Sequence, residues 1–336
     1  MSKTAIAEVL PANVLEHPAV YAWSQLQPER IEPESIQLLK RKKKSTVYRL
    51  VGVGPNGSAV IAKRCGTRTA MLERMIYEEL LPQLQVPTLR CYGFLEAGNQ
   101  EVSWLFLEDA SGQAYSSLNA EHRELAGRWL GMIHTATARI SATLPAGLPD
   151  RGTSHYLAML RSSREHLRQQ LTNPGMLPDD LWLLDALAAD CNVLEAHWSE
   201  LEAICELIPP TLVHGDFVIK NVRLRPGPEG LQLLAFDWEY AGHGVPAADF
   251  AQFTGATISP DVSAYCAAVN WDTGKPTVAE IQRLAKCGKF FRLLDEIHWE
   301  SNLLEYPFQE WISLPMSCLK VYEGRLAQAL REARWS

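Results

Sequence analysis

Short apolar segments separated by turn residues dominate the first third of the chain. Residues 47–53 alternate weakly between apolar and polar positions, residues 55–57 read Pro-Asn-Gly, and residues 58–62 are again apolar. Alternation with a period of two is typical of strands, and a Pro-Asn-Gly sequence is typical of a tight turn. These positions predict a β-hairpin that ends at Lys63, and residues 102–107 predict a further strand.

Apolar residues spaced three and four apart dominate the rest of the chain, in 121–140, 181–208, 290–306 and 318–333. This spacing predicts amphipathic helices whose apolar stripes pack in a core. The fold class we predict is α+β. Residues 1–110 form a lobe of antiparallel strands with one main helix, and residues 111–336 form a larger, mostly helical lobe. Residues 1–34 are expected to be an extension that packs on the first lobe.

A polar motif interrupts the helical part. Residues 214–216 read His-Gly-Asp, Asn221 follows five residues after the aspartate, and Asp237 ends an apolar segment. Residues 222–224 predict a short strand, and residues 225–230 form a turn rich in proline and glycine. The pattern predicts a hairpin that brings Asn221 and Asp237 to the same end.

These residue types suit phosphoryl transfer from a magnesium nucleotide. The transferred group carries charge on its peripheral oxygens, so the protein supplies cations and positions the reactants. Asn221 and Asp237 offer hard oxygen ligands to Mg²⁺, and Asp216 is suited to accept the proton of an acceptor hydroxyl. The alternative is structural, because His-Gly-Asp alone also favours an ordinary tight turn.

The sequence His-Gly-Asp, four residues, Asn, and then a later Asp resembles the signature of the aminoglycoside phosphotransferase and choline kinase family. Residues 238–251 also resemble the family's segment after the metal-binding aspartate. The resemblance implies a bilobal protein-kinase-like fold and transfer of the γ-phosphate of ATP to a small molecule. It implies that the catalytic base is Asp216, that the magnesium ligands are Asn221 and Asp237, and that His214 and Asp249 are structural.

The resemblance also implies a lysine that contacts the α- and β-phosphates. It assigns this role to Lys63, paired with Glu73 on the helix that follows. Glu78 and Glu79 are alternative partners. Without the downstream motif, Lys63 and Arg64 at a strand end would be typical of a solvated charge pair.

Five consecutive cations occupy residues 40–44, where protein kinases carry a glycine-rich loop. Like charges repel one another, and a bound polyphosphate would relieve that repulsion. We expect this loop to close over the ATP phosphates through Lys42, Lys43, Lys44, Ser45 and Thr46. A solvated basic turn and a nucleic-acid patch are the alternatives, and the net charge of −7 argues against nucleic acid.

The resemblance extends to the adenine and acceptor sites. Glu108, Asp109 and Ala110 match the family's hinge, whose main-chain groups would bind the adenine edge, although they also suit a plain polar turn. Segment 289–310 matches the region that lines the acceptor cleft, and its acidic character suits a cationic acceptor. The candidate acceptor contacts are Glu239, Asp295, Glu296 and Glu300. The alternative is a solvated helix face in which Arg292 and Glu296 form an ordinary i,i+4 pair.

Composition and length exclude several classes of protein. A chain of 336 residues that is 47% hydrophobic and 21% charged is long enough for two packed lobes and is not disordered. Its seven cysteines and nine histidines show no metal-binding spacing. No signal-peptide-like segment lies near Met1 and no apolar segment is long enough to cross a bilayer, so we expect a cytoplasmic protein without a membrane partner.

Together these observations predict an ATP- and Mg²⁺-dependent O-phosphotransferase, a small-molecule kinase whose acceptor is an aminoglycoside, amino sugar or amino alcohol. The alternative is a pseudokinase that binds nucleotide without catalysis, although retention of the whole motif argues against it. A protein kinase is disfavoured because the motif lacks an Arg-Asp pair and no Ala-Pro-Glu segment follows Asp237. The acceptor, the hydroxyl attacked, the choice between ATP and GTP, and the oligomeric state stay open.

Overall fold

The computed structural model describes residues 8–9, 16–28, 31–42, 45–96, 101–228, 230–272 and 274–335. The strands within these residues are β1 Glu8–Val9, β2 Ser35–Lys42, β3 Ser45–Val51, β4 Val60–Gly66, β5 Cys91–Glu96, β6 Val102–Glu108, β7 Gln113–Ala114, β8 Asp150–Arg151, β9 Thr211–Val213, β10 Val222–Gly227, β11 Gly230–Ala235 and β12 Gly242–Gly244. The α-helices are α1 Pro18–Ser24, α2 Thr67–Met75, α3 Ala120–Arg139, α4 Thr153–Gln169, α5 Pro178–Ala196, α6 Trp198–Cys205, α7 Val262–Ala268, α8 Val278–Ser301 and α9 Gln309–Ala333. None of the described helices combines the length and the apolar character needed to cross a membrane.

The described chain divides into two compact units. The first comprises Met1–Tyr115 and Asn221–Tyr240, and the second comprises Ser116–Lys220 and Ala241–Ser336. The sequence placed a boundary near residue 110 and left the hairpin of β10 and β11 with the second lobe. In the structure this hairpin packs with the first unit, because β10 pairs with β7.

An antiparallel sheet in the order β1-β2-β3-β4-β6-β5 forms most of the first unit. The predicted hairpin is confirmed as β3 and β4, joined by a turn in which Asn56 has a φ of 55°. Asparagine tolerates this left-handed conformation better than most residues do. The second strand runs three residues past Lys63, so this lysine lies within β4 and pairs with Val47 and Leu105 on its neighbours.

Helix α1 covers one face of this sheet and was not predicted. Its Val20 and Trp23 are buried in a core with side chains of β2, β3, β4 and β6, and Leu26 packs against the same core. This agrees with the expectation that the N-terminal segment packs on the first lobe. Leu10 and Val14, two further apolar residues of that segment, lie outside the described residues.

The second unit is mainly helical, as predicted. Helix α8 packs against α4, α6, α7 and α9, and α3 packs against α7. The predicted segment 181–208 divides into α5 and α6 at His197. A small sheet in the order β8-β12-β9 lies beside these helices. An antiparallel sheet unit followed by a helical unit confirms the predicted α+β class.

Candidate active site

Asp249 fixes the loop that follows β9. Its two carboxylate oxygens accept hydrogen bonds from the backbone N–H groups of His214 at 2.7 Å and of Gly215 at 2.9 Å. Gly215 has a φ of 75°, a conformation that a side chain would strain. The Asp216 N–H donates to Nδ1 of His214 at 3.3 Å. His214 and Asp249 are both buried, so their contacts fit the structural role that we predicted for them.

Two cations hold the buried carboxylate of Asp216. Nη1 of Arg292 lies 2.7 Å from Oδ1, and Nζ of Lys220 lies 2.9 Å from Oδ2. Burial opposes ionisation of this carboxyl, but the charges of Arg292 and Lys220 outweigh it and lower its pKa. Asp216 is therefore an ionised carboxylate at neutral pH, which is the form that accepts a proton.

Lys63 is the centre of a buried charge cluster in the first unit. Its Nζ lies 2.5 Å from Oε1 of Glu73, which is fully buried on α2, and it also contacts Oδ1 of Asp237. Burial alone would lower the pKa of Lys63, but Glu73 and Asp237 raise it well above its ordinary value. The lysine is therefore a fixed positive charge. Of the three candidate glutamates, Glu73 contacts Lys63, whereas Glu78 pairs with Arg74.

Asp237 lies two residues after β11 ends, in a left-handed conformation with a φ of 70°. Its Oδ2 lies 3.2 Å from Nζ of Lys40. Burial disfavours its charge, but Lys63 and Lys40 hold the pKa of this carboxyl well below its usual range. The N–H of Phe236 donates to the main-chain oxygen of Asn221 at 3.0 Å. Asn221 and Asp237 thus lie at the same end of the hairpin, as the sequence predicted.

The donor set at this end of the hairpin suits Mg²⁺. An ionised carboxylate and an amide oxygen are hard ligands, and Mg²⁺ typically takes one or two protein oxygens and completes its shell with water and phosphate. Among the described residues no group of three or more His, Cys, Asp or Glu side chains forms a metal site by itself. Asn221 and Asp237 provide two oxygen ligands of this kind at one end of the hairpin.

Residues 40–42 of the basic segment lie in β2 and not in the open loop that the sequence suggested. Lys42 is the last residue of β2 and pairs in register with Ser45, the first residue of β3. Thr46 is likewise within β3. Lys43 and Lys44, which we predicted to contact the ATP phosphates, lie outside the described residues.

The predicted hinge follows β6, and most of its polar groups are already engaged. The N–H of Glu108 donates to the main-chain oxygen of Arg90 at 2.8 Å, so this amide is not available to an adenine. The Glu108 carboxylate contacts Arg225, and Oδ2 of Asp109 lies 2.7 Å from Nε of Arg49. Ala110 is buried. The Glu108 N–H is thereby excluded from adenine binding, and a hinge role for the other main-chain groups of Glu108, Asp109 and Ala110 stays a prediction.

The acidic residues of α8 are not a solvated face, so that alternative is wrong. Asp295 and Glu296 are buried. Arg151 Nη1 lies 3.7 Å from Oδ1 of Asp295, and Arg292 Nε lies 3.0 Å from Oε1 of Glu296. Glu300 is partly buried on the same helix, and Glu239 is partly buried in the other unit. Arg292 and Glu296 form the expected i,i+4 pair.

Sequence reasoning missed two residues of these clusters. Lys40 was treated as one of five loop cations, yet it contacts Asp237. Arg292 was treated only as a partner of Glu296, yet it contacts Asp216. A signal for Arg292 was present, because the arginine interrupts the apolar run Phe-Phe-Arg-Leu-Leu, and a charge in such a run is typically buried and paired.

Comparisons with known proteins agree with this geometry. A comparison with curated protein sequences finds no match. The fold resembles the GDP and kanamycin complex of APH(2")-IIia, with a TM-score of 0.62 and 13% identity over 90% of this chain and 97% of that one. It resembles choline kinase from Cryptosporidium parvum Iowa II, with a TM-score of 0.56 and 11% identity over 89% of this chain and 90% of that one. Plasmodium vivax ethanolamine kinase has a TM-score of 0.53 and 15% identity over 85% of this chain and 81% of that one.

At these identities the structural likeness establishes the protein-kinase-like fold that the sequence predicted. The family itself is established by sequence. The model described as the phosphotransferase enzyme family (APH) matches residues 38–281, which is well over half of the chain and includes Lys63, Asp216 and Asp237. The chain belongs to the phosphotransferase enzyme family and is a small-molecule kinase.

Proposed function

We propose that this enzyme moves the γ-phosphoryl group of ATP, bound with Mg²⁺, to a hydroxyl of a small molecule. The observation that carries the proposal is the buried Lys63 ammonium, held by Glu73 and Asp237. A lysine fixed by two carboxylates presents its charge at one place, which suits the α- and β-phosphates of a nucleotide. The first unit would therefore bind the nucleotide.

Asn221 and Asp237 are the residues that would hold Mg²⁺. When bound, the metal neutralises charge on the phosphate oxygens and favours departure of the ADP leaving group. Lys40 adds a second cation beside Asp237. We further propose that Lys42, Ser45 and Thr46 at the end of the β2–β3 hairpin contact the phosphates, and that main-chain groups of Asp109 and Ala110 bind the base.

Asp216 is proposed as the catalytic base. The acceptor hydroxyl oxygen forms a bond to the γ-phosphorus while the bond from that phosphorus to the β,γ-bridging oxygen breaks. ADP leaves with the electron pair of that bond, and the hydroxyl proton passes to Asp216. The ionised state of Asp216 supports this role.

The first acceptors to test are amines that carry hydroxyl groups. Kanamycin, choline and ethanolamine appear in the names of the similar structures, and they fit the expected aminoglycoside, amino sugar or amino alcohol class. The acidic residues of α8 and Glu239 are the candidate contacts for such cations. The charges around Asp216, however, favour a different acceptor chemistry, which is argued below.

Release of ADP from ATP, or of GDP from GTP, tests the proposal across a broad panel of hydroxylated acceptors with Mg²⁺ present or chelated. The wild-type enzyme should release ADP with at least one acceptor. Asp216→Asn and Asp237→Asn should abolish that release, and chelation should have the same effect. Undiminished release in Asp216→Asn would show that another residue is the base.

A further inference from the structure

Arginines neutralise the acidic residues around Asp216 in the second unit. Asp216, Asp295 and Glu296 are carboxylates that are buried there and paired with cations. Four cations contact them, namely Arg151, Lys220, Arg292 and Arg325. If the buried Asp249 and the partly buried Glu300 are also counted, there are five carboxylates and four cations, so the group is close to neutral rather than strongly acidic. A cationic acceptor gains attraction from a site with a large excess of negative charge, and this site has an excess of at most one.

Arg292 is the best placed of these cations to bind a substrate group. Its Nε donates to Glu296 at 3.0 Å, its Nη1 donates to Asp216 at 2.7 Å, and its guanidinium carbon lies 5.1 Å from the centre of the Trp299 ring. The side chain is 12% exposed. A guanidinium carries five N–H donors, and these two hydrogen bonds use two of them within the described part of the chain.

The guanidinium is therefore rigid, partly accessible and adjacent to the base. A planar fork of N–H donors matches the two oxygens of a carboxylate or phosphate, a geometry that a lysine ammonium does not offer. Lys220, in contrast, is 56% exposed on the loop, so its charge is more screened and its position less fixed.

We propose that the acceptor carries an oxyanion, either a carboxylate or a phosphate, close to the hydroxyl that is phosphorylated, and that Arg292 binds this group. The inference rests on the proposed function, because it takes Asp216 as the base that receives the hydroxyl proton. Arg292 then determines specificity, while Glu296 and Trp299 hold the guanidinium in place. The acidic α8 residues support the arginine instead of contacting a cationic acceptor.

Matched acceptors on one scaffold test the inference directly. Glucose, glucosamine, glucuronate and glucose 6-phosphate form one set, and glycerol, serinol, glycerate and glycerol 3-phosphate form another, with kanamycin, choline and ethanolamine added. We expect an oxyanion-bearing member to have the highest kcat/KM, by roughly 10- to 100-fold over its amine counterpart, as for one charge-assisted pair. Comparison of the acids, glucuronate and glycerate, with the two phosphates shows whether the preferred oxyanion is a carboxylate or a phosphate. A kcat/KM for the amines that equals or exceeds that for the oxyanions overturns the inference.

Substitution of Arg292 provides the second measurement. Because Arg292 also contacts Asp216, its loss can slow turnover of every acceptor, so we compare the ratio of kcat/KM between two acceptors. Arg292→Gln should reduce the ratio of kcat/KM for the oxyanion acceptor to that for its neutral counterpart by roughly 10-fold or more, and Arg292→Lys should restore part of it. Arg161→Gln is the matched control, because Arg161 pairs with Glu195, outside this group, and its loss should leave the ratio unchanged. An unchanged ratio in Arg292→Gln rejects the assignment.

Acceptor binding measured by calorimetry distinguishes failure of this inference from failure of the proposed function. The same acceptors are titrated into wild-type enzyme that holds Mg²⁺ and a non-hydrolysable ATP analogue. Absence of turnover with every acceptor would count against the proposed function, yet tighter binding of the acids or phosphates than of the amines would still support the Arg292 site. Binding of oxyanions that is no tighter than that of amines, or undetectable, overturns it.

Discussion

Arg292 and Asp216 are 76 residues apart in sequence, and their side chains lie 2.7 Å apart. Arg292 extends from the buried face of α8, and Asp216 lies on the loop after β9. The contact fixes the carboxylate on one side while Lys220 holds the other oxygen. A carboxylate held in this way stays ionised, which suits the base role that we propose for Asp216.

The first prediction concerns Asp216→Asn. An amide of the same shape cannot accept the hydroxyl proton, so we expect kcat to fall by roughly 10²- to 10⁴-fold. ADP release under saturating substrates measures this. Asp185→Asn, at an exposed position of α5, controls for removal of one negative charge and should retain the wild-type rate. Wild-type turnover in Asp216→Asn would contradict the assignment.

The second prediction compares Lys63→Met with Lys40→Met. Removal of Lys63 leaves Glu73 and Asp237 without their shared buried cation, which typically costs about 3–5 kcal/mol of unfolding free energy. Lys40 is 31% exposed and contacts Asp237 alone, so its loss should cost about 1 kcal/mol or less. Urea denaturation monitored by circular dichroism measures both. Equal losses would show that the Lys63 cluster does not stabilise the first unit.

Local sequence was sufficient to predict those elements in which apolar and polar positions follow a regular pattern. The β3–β4 hairpin was predictable because strand alternation and turn residues agreed, and the same holds for the hairpin of β10 and β11. Helix α1 was missed because seven residues are too few to display a clear helical period. Met132, an apolar residue of the predicted helix 121–140, is 39% exposed. Periodicity indicates which side of a helix is apolar, whereas tertiary contacts determine how many positions on that side are buried.

The charge clusters around Lys63 and Asp216 could be predicted only in part, because ion pairs between segments that are distant in sequence produce no regular spacing of residues. Lys63 and Glu73 are ten residues apart and were paired from the family resemblance. Lys40 and Asp237 are 197 residues apart, and nothing in either segment indicates the other. Likewise, burial of Asp295 depends on Arg151, which lies on a short strand far upstream.

The third prediction is that Asp249→Asn impairs both stability and turnover. An amide group would face two backbone N–H donors and would satisfy only part of their hydrogen bonding, at a cost of about 1–3 kcal/mol. Because these donors belong to His214 and Gly215, we also expect kcat to fall. Asp261→Ala is the control. It removes the N-cap of α7, and we expect it to cost about 1 kcal/mol with kcat unchanged.

If both variants lose stability but neither loses turnover, Asp249 contributes to folding without positioning the catalytic loop. Thermal denaturation and steady-state ADP release on the same preparations distinguish these outcomes.

The fourth prediction uses two glycines within helices of the second unit. A Cβ at Gly288 of α8 would lie 2.1 Å from the main-chain oxygen of Ala247, so Gly288→Ala must push the helix from its neighbour. We expect a loss of about 1–3 kcal/mol. A Cβ at Gly324 of α9 meets no atom of the described chain within 4 Å, so Gly324→Ala should add roughly 0.5–1 kcal/mol through helix propensity. Urea denaturation measures both changes in unfolding free energy. Changes of opposite sign support the close packing of α8, and changes of the same sign contradict it.

The fifth prediction is a pH dependence that originates at Asp295. Burial raises the pKa of this carboxyl from its ordinary 3.8 to about 7, although Arg151 and Arg292 oppose the shift and Asp216 and Glu296 add to it. Between about pH 4 and 7 the folded chain holds a proton that the unfolded chain has lost. Stability must therefore fall as pH rises through this window, by at most about 1.4 kcal/mol per unit.

Asp295→Asn removes the titrating group, so its unfolding free energy should depend less on pH than that of the wild type. The difference between variant and wild type should shift in favour of the variant from pH 5 to pH 8. Urea denaturation at intervals across this range measures both slopes, with Asp185→Asn as the exposed control, whose slope should match the wild type. Parallel curves for Asp295→Asn and the wild type would mean that Asp295 stays ionised in the folded protein. The arginines would then outweigh its burial, and the charge of the group around Asp216 would be more negative than its raised pKa indicates.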